Sequence, residues 1–145
     1  MARRNTDEHL GSLRDLKDIE VADHEPDPRG WQVVSADGRN VGRVDDLIVD
    51  TTEMRVRYLD CDLDETALNL KGSDRERHIL IPIESVSMSR ADRQVAIQGV
   101  NANDVVDLPA FTRGALTGAL ASTVKAAFGG RSEEEMSVGK HTVDA

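Results

Sequence analysis

The stretch from Asp27 to Asp62, DPRGWQVVSADGRNVGRVDDLIVDTTEMRVRYLDCD, decides the fold, because it reads as three consecutive strands separated by turns. Val33 and Val34 lead into a turn at Ala36-Asp37-Gly38-Arg39. A second run covers Val41 to Asp50, and Thr51-Thr52-Glu53 separates it from a third, Val56 to Leu63. An Asp-Gly pair between β-branched runs marks a hairpin, since glycine takes up positive φ without steric cost. Within the second run Val41 has one parity and Val44 the other, and Leu47, Ile48 and Val49 then occupy both faces. Such a parity change predicts a β-bulge or a strand buried on both sides. In the second case one side can be an interface between subunits.

Downstream, His78 to Pro82 (HILIP), Val86 to Ser89 and Gln94 to Ile97 are further short apolar runs, separated by turn-like segments at residues 74–76 and 90–93. This spacing predicts a mainly β fold, a small antiparallel barrel or sandwich of about six strands. Asn103 is read as the cap of a short helix through Val106 that ends before Pro109. Residues 1–26 read as an N-terminal arm with a short helix at most, stopped by Pro26-Asp27-Pro28. Residues 27–110 form the β domain and 111–130 a C-terminal helical segment closed by Gly129-Gly130. Residues 131–145 read as a solvated, flexible tail. In the helical segment Leu116, Leu120, Val124 and Phe128 recur every four residues, beside a second row of small residues at Gly114, Gly118, Ser122 and Ala126. The apolar row is expected to lie on the β domain, with a self-association or partner-binding helix as the alternative.

Composition bounds the partners. The 145 residues suit one domain, and with 3% aromatic residues the core is built mainly from Val, Ile and Leu. With 18 basic against 27 acidic residues the net charge is −9, which repels phosphate backbones and favours a basic protein partner over nucleic acid. Cys61 is the single cysteine, which excludes an internal disulfide and a multi-cysteine zinc site. The N-terminus has no apolar signal region, and no uncharged apolar run approaches the roughly 20 residues of a membrane helix. A soluble, cytoplasmic protein without a transmembrane anchor is expected.

The titratable residues show no catalytic constellation. Asp60, Asp62 and Asp64 alternate in DCDLDE as at the start of a calcium loop, but Glu65 stands at the glycine position and Lys71 at the twelfth position. On a strand the three carboxylates share one face and read as a solvated acidic stripe rather than a metal cage. Asp45 and Asp46, followed by Asp50 and Glu53, form a second acidic group. Neighbours on a strand point to opposite faces, so Asp45 and Asp46 are not expected to act together. His9, His24, His78 and His141 are scattered without ligand spacing, and His78 is expected to face solvent at the start of a strand. Cys61 reads as a small buried hydrophobe, and Gly38, Gly42 and Gly72 follow no phosphate-loop spacing. No metal, cofactor or enzymatic activity is expected.

Asp27-Pro28-Arg29-Gly30, then VVSADGRNVGRVDDLIVD, VRYLDCDL and HILIPI, resemble the PRC-barrel family, named for the cytoplasmic domain of the photosynthetic reaction-centre H subunit. The likeness covers about residues 13–109. It implies a small β-barrel of about six strands that acts as an assembly or docking module. In the H subunit, acidic side chains on the loop after the second strand lie near a proton-delivery route to a quinone, and Asp50 and Glu53 match that loop in position and type. The membrane helix of that subunit has no counterpart here, so a light-harvesting role does not transfer. The combined expectation is a non-enzymatic docking protein that self-associates. The alternatives are an RNA-processing or ribosome-assembly adaptor, suggested by the family's occurrence in a ribosome-maturation factor, and a metal- or ligand-responsive module using Asp45, Asp46, Asp50 and Glu53.

Overall fold

A computed structural model describes residues 10–22, 25–72, 77–112, 118–128 and 136–140. The fold is mainly β. Its strands are β1 Leu10–Ser12, β2 Ile19–Val21, β3 Gln32–Val34, β4 Asn40–Asp50, β5 Arg55–Leu63, β6 His78–Pro82, β7 Val86–Ser89, β8 Gln94–Ile97, β9 Ala110–Phe111 and β10 Val138–Lys140. Two helices accompany them, α1 Ala102–Val105 and α2 Gly118–Ala127. The main sheet runs β7-β8-β3-β4-β5-β6-β9, and β1 pairs with the far end of β4 on the edge that β3 also uses. Among the described residues no ladder joins β7 to β9.

The long β4–β5 hairpin is the axis of the molecule. Its turn is closed by Asp50, whose Oδ1 accepts the N–H groups of Thr52 (2.9 Å) and Glu53 (3.0 Å), while Met54 takes up φ 56°. The shorter turn before β4 uses Gly38 at φ 83°. Both readings of the parity change hold. The ladder slips between Val44 and Asp46 and again between Ile48 and Val49, and the intervening Leu47 and Ile48, like Val49, are completely buried. Gly42 lets the two strands meet closely, for a Cβ there would lie 2.2 Å from the Asp62 carbonyl oxygen.

Several expectations are corrected. The β3–β8 ladder is parallel, whereas an all-antiparallel set was expected. The supposed N-terminal arm contributes β1 to the main sheet and buries Leu13, because Leu10, Leu13, Leu16 and Ile19 supply apolar surface that only the sheet can cover. The supposed tail contributes β10, antiparallel to β2, and buries Met136 and Val138. Met136 and Val138 alternate as a strand requires, but the neighbouring charges mask them in the sequence. Asn101, not Asn103, holds the cap position of α1, and the first helical N–H, that of Ala102, is taken by Asp37 Oδ1 at 3.1 Å. Val124 of α2 and Phe128 just after it are buried and Leu120 packs against the same core, so these members of the row face their own chain. Leu116 and Gly129-Gly130 lie outside the described residues.

Candidate functional site

Two polar assemblies stand out, one inside the sheet and one on its surface. The first arises from the β4 bulge. By offsetting the pleat at Val44–Asp46, it turns both Asp45 and Asp46 toward one guanidinium: Arg14 NH2 lies 2.8 Å from Asp45 Oδ2, and Arg14 Nε lies 2.9 Å from Asp46 Oδ2. The expectation that adjacent acids diverge fails here because it assumed an unbroken pleat. Asp46 is buried and also accepts the N–H groups of Leu47 (2.8 Å) and Arg14 (3.3 Å). Burial drives its pKa up; these hydrogen bonds and Arg14 pull the other way without cancelling the rise, and Asp60 adds to it. Burial acts against the charge of Arg14, but Asp46 and Asp45 outweigh it and raise its pKa.

Asp60 faces Asp46 across the ladder and is 0% exposed, so the expected solvated stripe is divided. Its Oδ1 lies 2.7 Å from His78 Nδ1, which carries the shared hydrogen because a carboxylate can only accept. Its Oδ2 is shut off from solvent and has no hydrogen-bond partner among the described residues. Asp62, the exposed member, has Oδ1 3.8 Å from His78 Nε2. Asp64 leaves the strand and caps the next turn, accepting from Thr66 (3.0 Å), Ala67 (2.9 Å) and Asn40 Nδ2 (3.0 Å). These bonds, that from Ala67 first, hold its carboxyl below the usual range. His78 is therefore half-buried rather than solvent-facing, and the hydrogen bond to Asp60 raises its pKa against the opposing effect of burial. Cys61 is fully buried, and burial pushes its thiol well up, which removes it as a nucleophile. Asp50 and Glu53 stay apart from this cluster: Glu53 pairs with Arg57, and Arg57 Nε lies 3.6 Å from Asp50 Oδ2.

The second assembly is a groove of about 830 Å³ lined by Arg29, Arg43, Arg90 and Arg93 around Trp31, with Glu25 and Asp27 as its carboxylates. Arg29 forks onto Asp27, with Nε 3.0 Å from Oδ1 and NH2 2.6 Å from Oδ2. Burial would raise the Asp27 pKa, yet Arg29 holds it below the usual range. Arg43 NH1 donates to the Gly30 carbonyl at 3.1 Å. The groove thus has two more basic than acidic side chains on a chain of net charge −9. It is invisible in the sequence because the parallel β3–β8 ladder, with Gln32 N–H donating to the Arg93 carbonyl at 3.3 Å, brings together arginines that lie far apart in the chain. The one available signal was Arg29 standing two residues before the single tryptophan.

One main sheet of mostly short strands about a bulged hairpin, with β2 and β10 as a separate two-stranded ladder, defines a small mainly β module. Residues 20–105, more than half of the chain, match the family model of the PRC-barrel domain, and the chain belongs to that family. Among the described residues no helix is long and apolar enough to cross a membrane.

Proposed function

We propose that this protein is a non-enzymatic docking and assembly module of the cytoplasm, its sheet arranged as the family's small barrel, and that it engages partners through the arginine-lined groove. The observation that carries the reading is the groove around Trp31. Tryptophan and arginine are the residues in which binding energy concentrates at interfaces, and Arg29 and Arg43 are already held in place by Asp27 and Gly30. The local positive excess suits a carboxylate-rich peptide segment, in contrast to the basic partner that net charge alone suggested. The chain's overall negative charge works against long phosphate polymers, so a protein partner is favoured over RNA. Self-association belongs to the same reading.

The single tryptophan gives a direct probe. Titration with a glutamate-rich peptide is expected to change Trp31 fluorescence saturably, with an affinity that falls as salt rises. Arg43→Glu together with Arg93→Glu is expected to abolish the change. A response that survives the double substitution sinks the groove reading. Light scattering tests the oligomer, and a strict monomer at high micromolar concentration removes that part.

A further inference from the structure

We infer that Asp45, Asp60 and His78 form a binding site for one divalent transition-metal ion of the zinc, manganese or cobalt type. One ligand atom from each residue lies within 4.8 Å of the others. Ligand atoms held about 2.0–2.2 Å from a common ion stand at most about 4.4 Å apart, so the three side chains need only small torsional adjustments to converge. They come from three adjacent strands, β4, β5 and β6, at the centre of the sheet, which fixes their backbones.

Proximity of acids alone carries no such conclusion, and Asp60 supplies the independent observation. It is 0% exposed, one oxygen is engaged by His78, and the other is buried without a partner among the described residues. A bare carboxylate oxygen cut off from water is costly, and a cation is the partner that a carboxylate in this setting lacks. The charges point the same way. Around the site stand four carboxylates, Asp45, Asp46, Asp60 and Asp62, against two basic side chains, Arg14 and His78.

The donor set selects the ion. One imidazole with two carboxylates suits zinc, manganese or cobalt, whereas calcium and magnesium prefer oxygen alone. The ion takes the place of the hydrogen on His78 Nδ1, and a small turn of the Asp60 carboxylate brings its unpartnered Oδ2 onto the ion. An imidazolium ring releases the Nδ1 proton to solvent and keeps the one on Nε2, whereas a neutral ring carries its single hydrogen on Nε2 instead. Either way Asp62, 3.8 Å away, is positioned to accept from Nε2 as the outer carboxylate that orients a metal-bound imidazole. Arg14 uses one lone pair of Asp45 Oδ2 and leaves another. Asp45 is 34% exposed, which provides an entry path and room for water ligands. The site shares no residue with the arginine groove, so it stands or falls independently of the docking reading.

The test is calorimetric titration of the full, chelator-stripped chain with zinc, manganese and cobalt chloride, with cobalt binding also followed by visible absorption. One ion per chain is expected, with affinity lowered at least about tenfold in His78→Gln and in Asp45→Asn. If His78→Gln fails to fold by circular dichroism, the half-exposed Asp45→Asn decides alone. Absence of binding by all three ions overturns the inference. So does binding that both folded variants retain, which would place the ion on other histidines.

Discussion

Replacing Gly42 by alanine is expected to be among the most damaging single-methyl additions in this chain. The new Cβ would stand 2.2 Å from the carbonyl oxygen of Asp62, 3.1 Å from its carbonyl carbon and 3.1 Å from Cys61 Sγ. Real Cβ contacts essentially never fall under 3.0 Å, so β5 must retreat by 0.8 Å, the difference between 3.0 and 2.2. What must retreat is backbone, and its neighbours Cys61 and Leu63 are both buried in the core. The register pairs Gly42–Leu63 and Val44–Cys61 flank the clash. Weakening two ladder hydrogen bonds costs about 1 kcal/mol each, and overpacking adds about 1 kcal/mol, giving about 3 kcal/mol in all. For a chain of this length that corresponds to a Tm lowered by about 10 °C. Urea unfolding should show a lower midpoint with an unchanged slope. Gly139→Ala, where an added Cβ meets nothing within 4 Å, is the control and should stay within about 0.5 kcal/mol. A loss below about 1 kcal/mol in Gly42→Ala would refute the claim that this close approach is rigid.

Two further outcomes concern the buried polar cluster. Arg14→Ala should destabilise by about 2 kcal/mol, less than the 3–5 kcal/mol typical of a broken buried pair because Arg14 is 37% exposed and water screens it. A double-mutant cycle with Asp46→Asn should give a coupling of at least about 1 kcal/mol, and simple additivity would show that the pair does not tie the N-terminal strand to β4. His78 has a folded-state pKa raised above the unfolded value, chiefly by Asp60. Its stabilising contribution is therefore complete below an unfolded pKa of about 6.5 and is lost as pH rises through the folded pKa. With chelator present, the urea midpoint should fall as pH climbs above about 6.5, and His78→Gln should flatten that slope; an equal slope in the variant would assign it to another group.

The hairpin core was legible because local chemistry and tertiary packing agree there. HILIP, Val86 to Ser89 and Gln94 to Ile97 are strands with the expected limits, and the parity change of β4 pointed to the bulge. The consequences of that bulge were not legible. Which side chains it would turn together depends on where the slip falls, and only the pairing with β5 fixes it at Val44–Asp46. Asp60 misled for a related reason: its alternation with Asp62 and Asp64 is compatible with a wet face, and burial comes from the elements that cover that face, His78 and the bulged strand. The chain ends misled because strands of three residues carry too little pattern to outweigh neighbouring charges. The groove was hidden since a parallel ladder between β3 and β8 joins segments about sixty residues apart.

The pairing of β2 with β10 has a mechanical consequence. In this antiparallel ladder Ile19, where β2 begins, stands opposite Lys140, where β10 ends, so the chain leaves both strands at the same end. A pull applied to the two ends loads the ladder one hydrogen bond at a time, as in peeling a zipper, instead of shearing all of them together. Pulled from the C-terminal side, this clasp is therefore the part that yields first, whereas a load from the N-terminal side enters through β1 and its ladder with β4. From the C-terminal side the β4–β5 hairpin feels force only after Val138 and Met136 have been drawn off Met54 and Val56, to which they are joined by backbone hydrogen bonds of 3.0 and 2.8 Å.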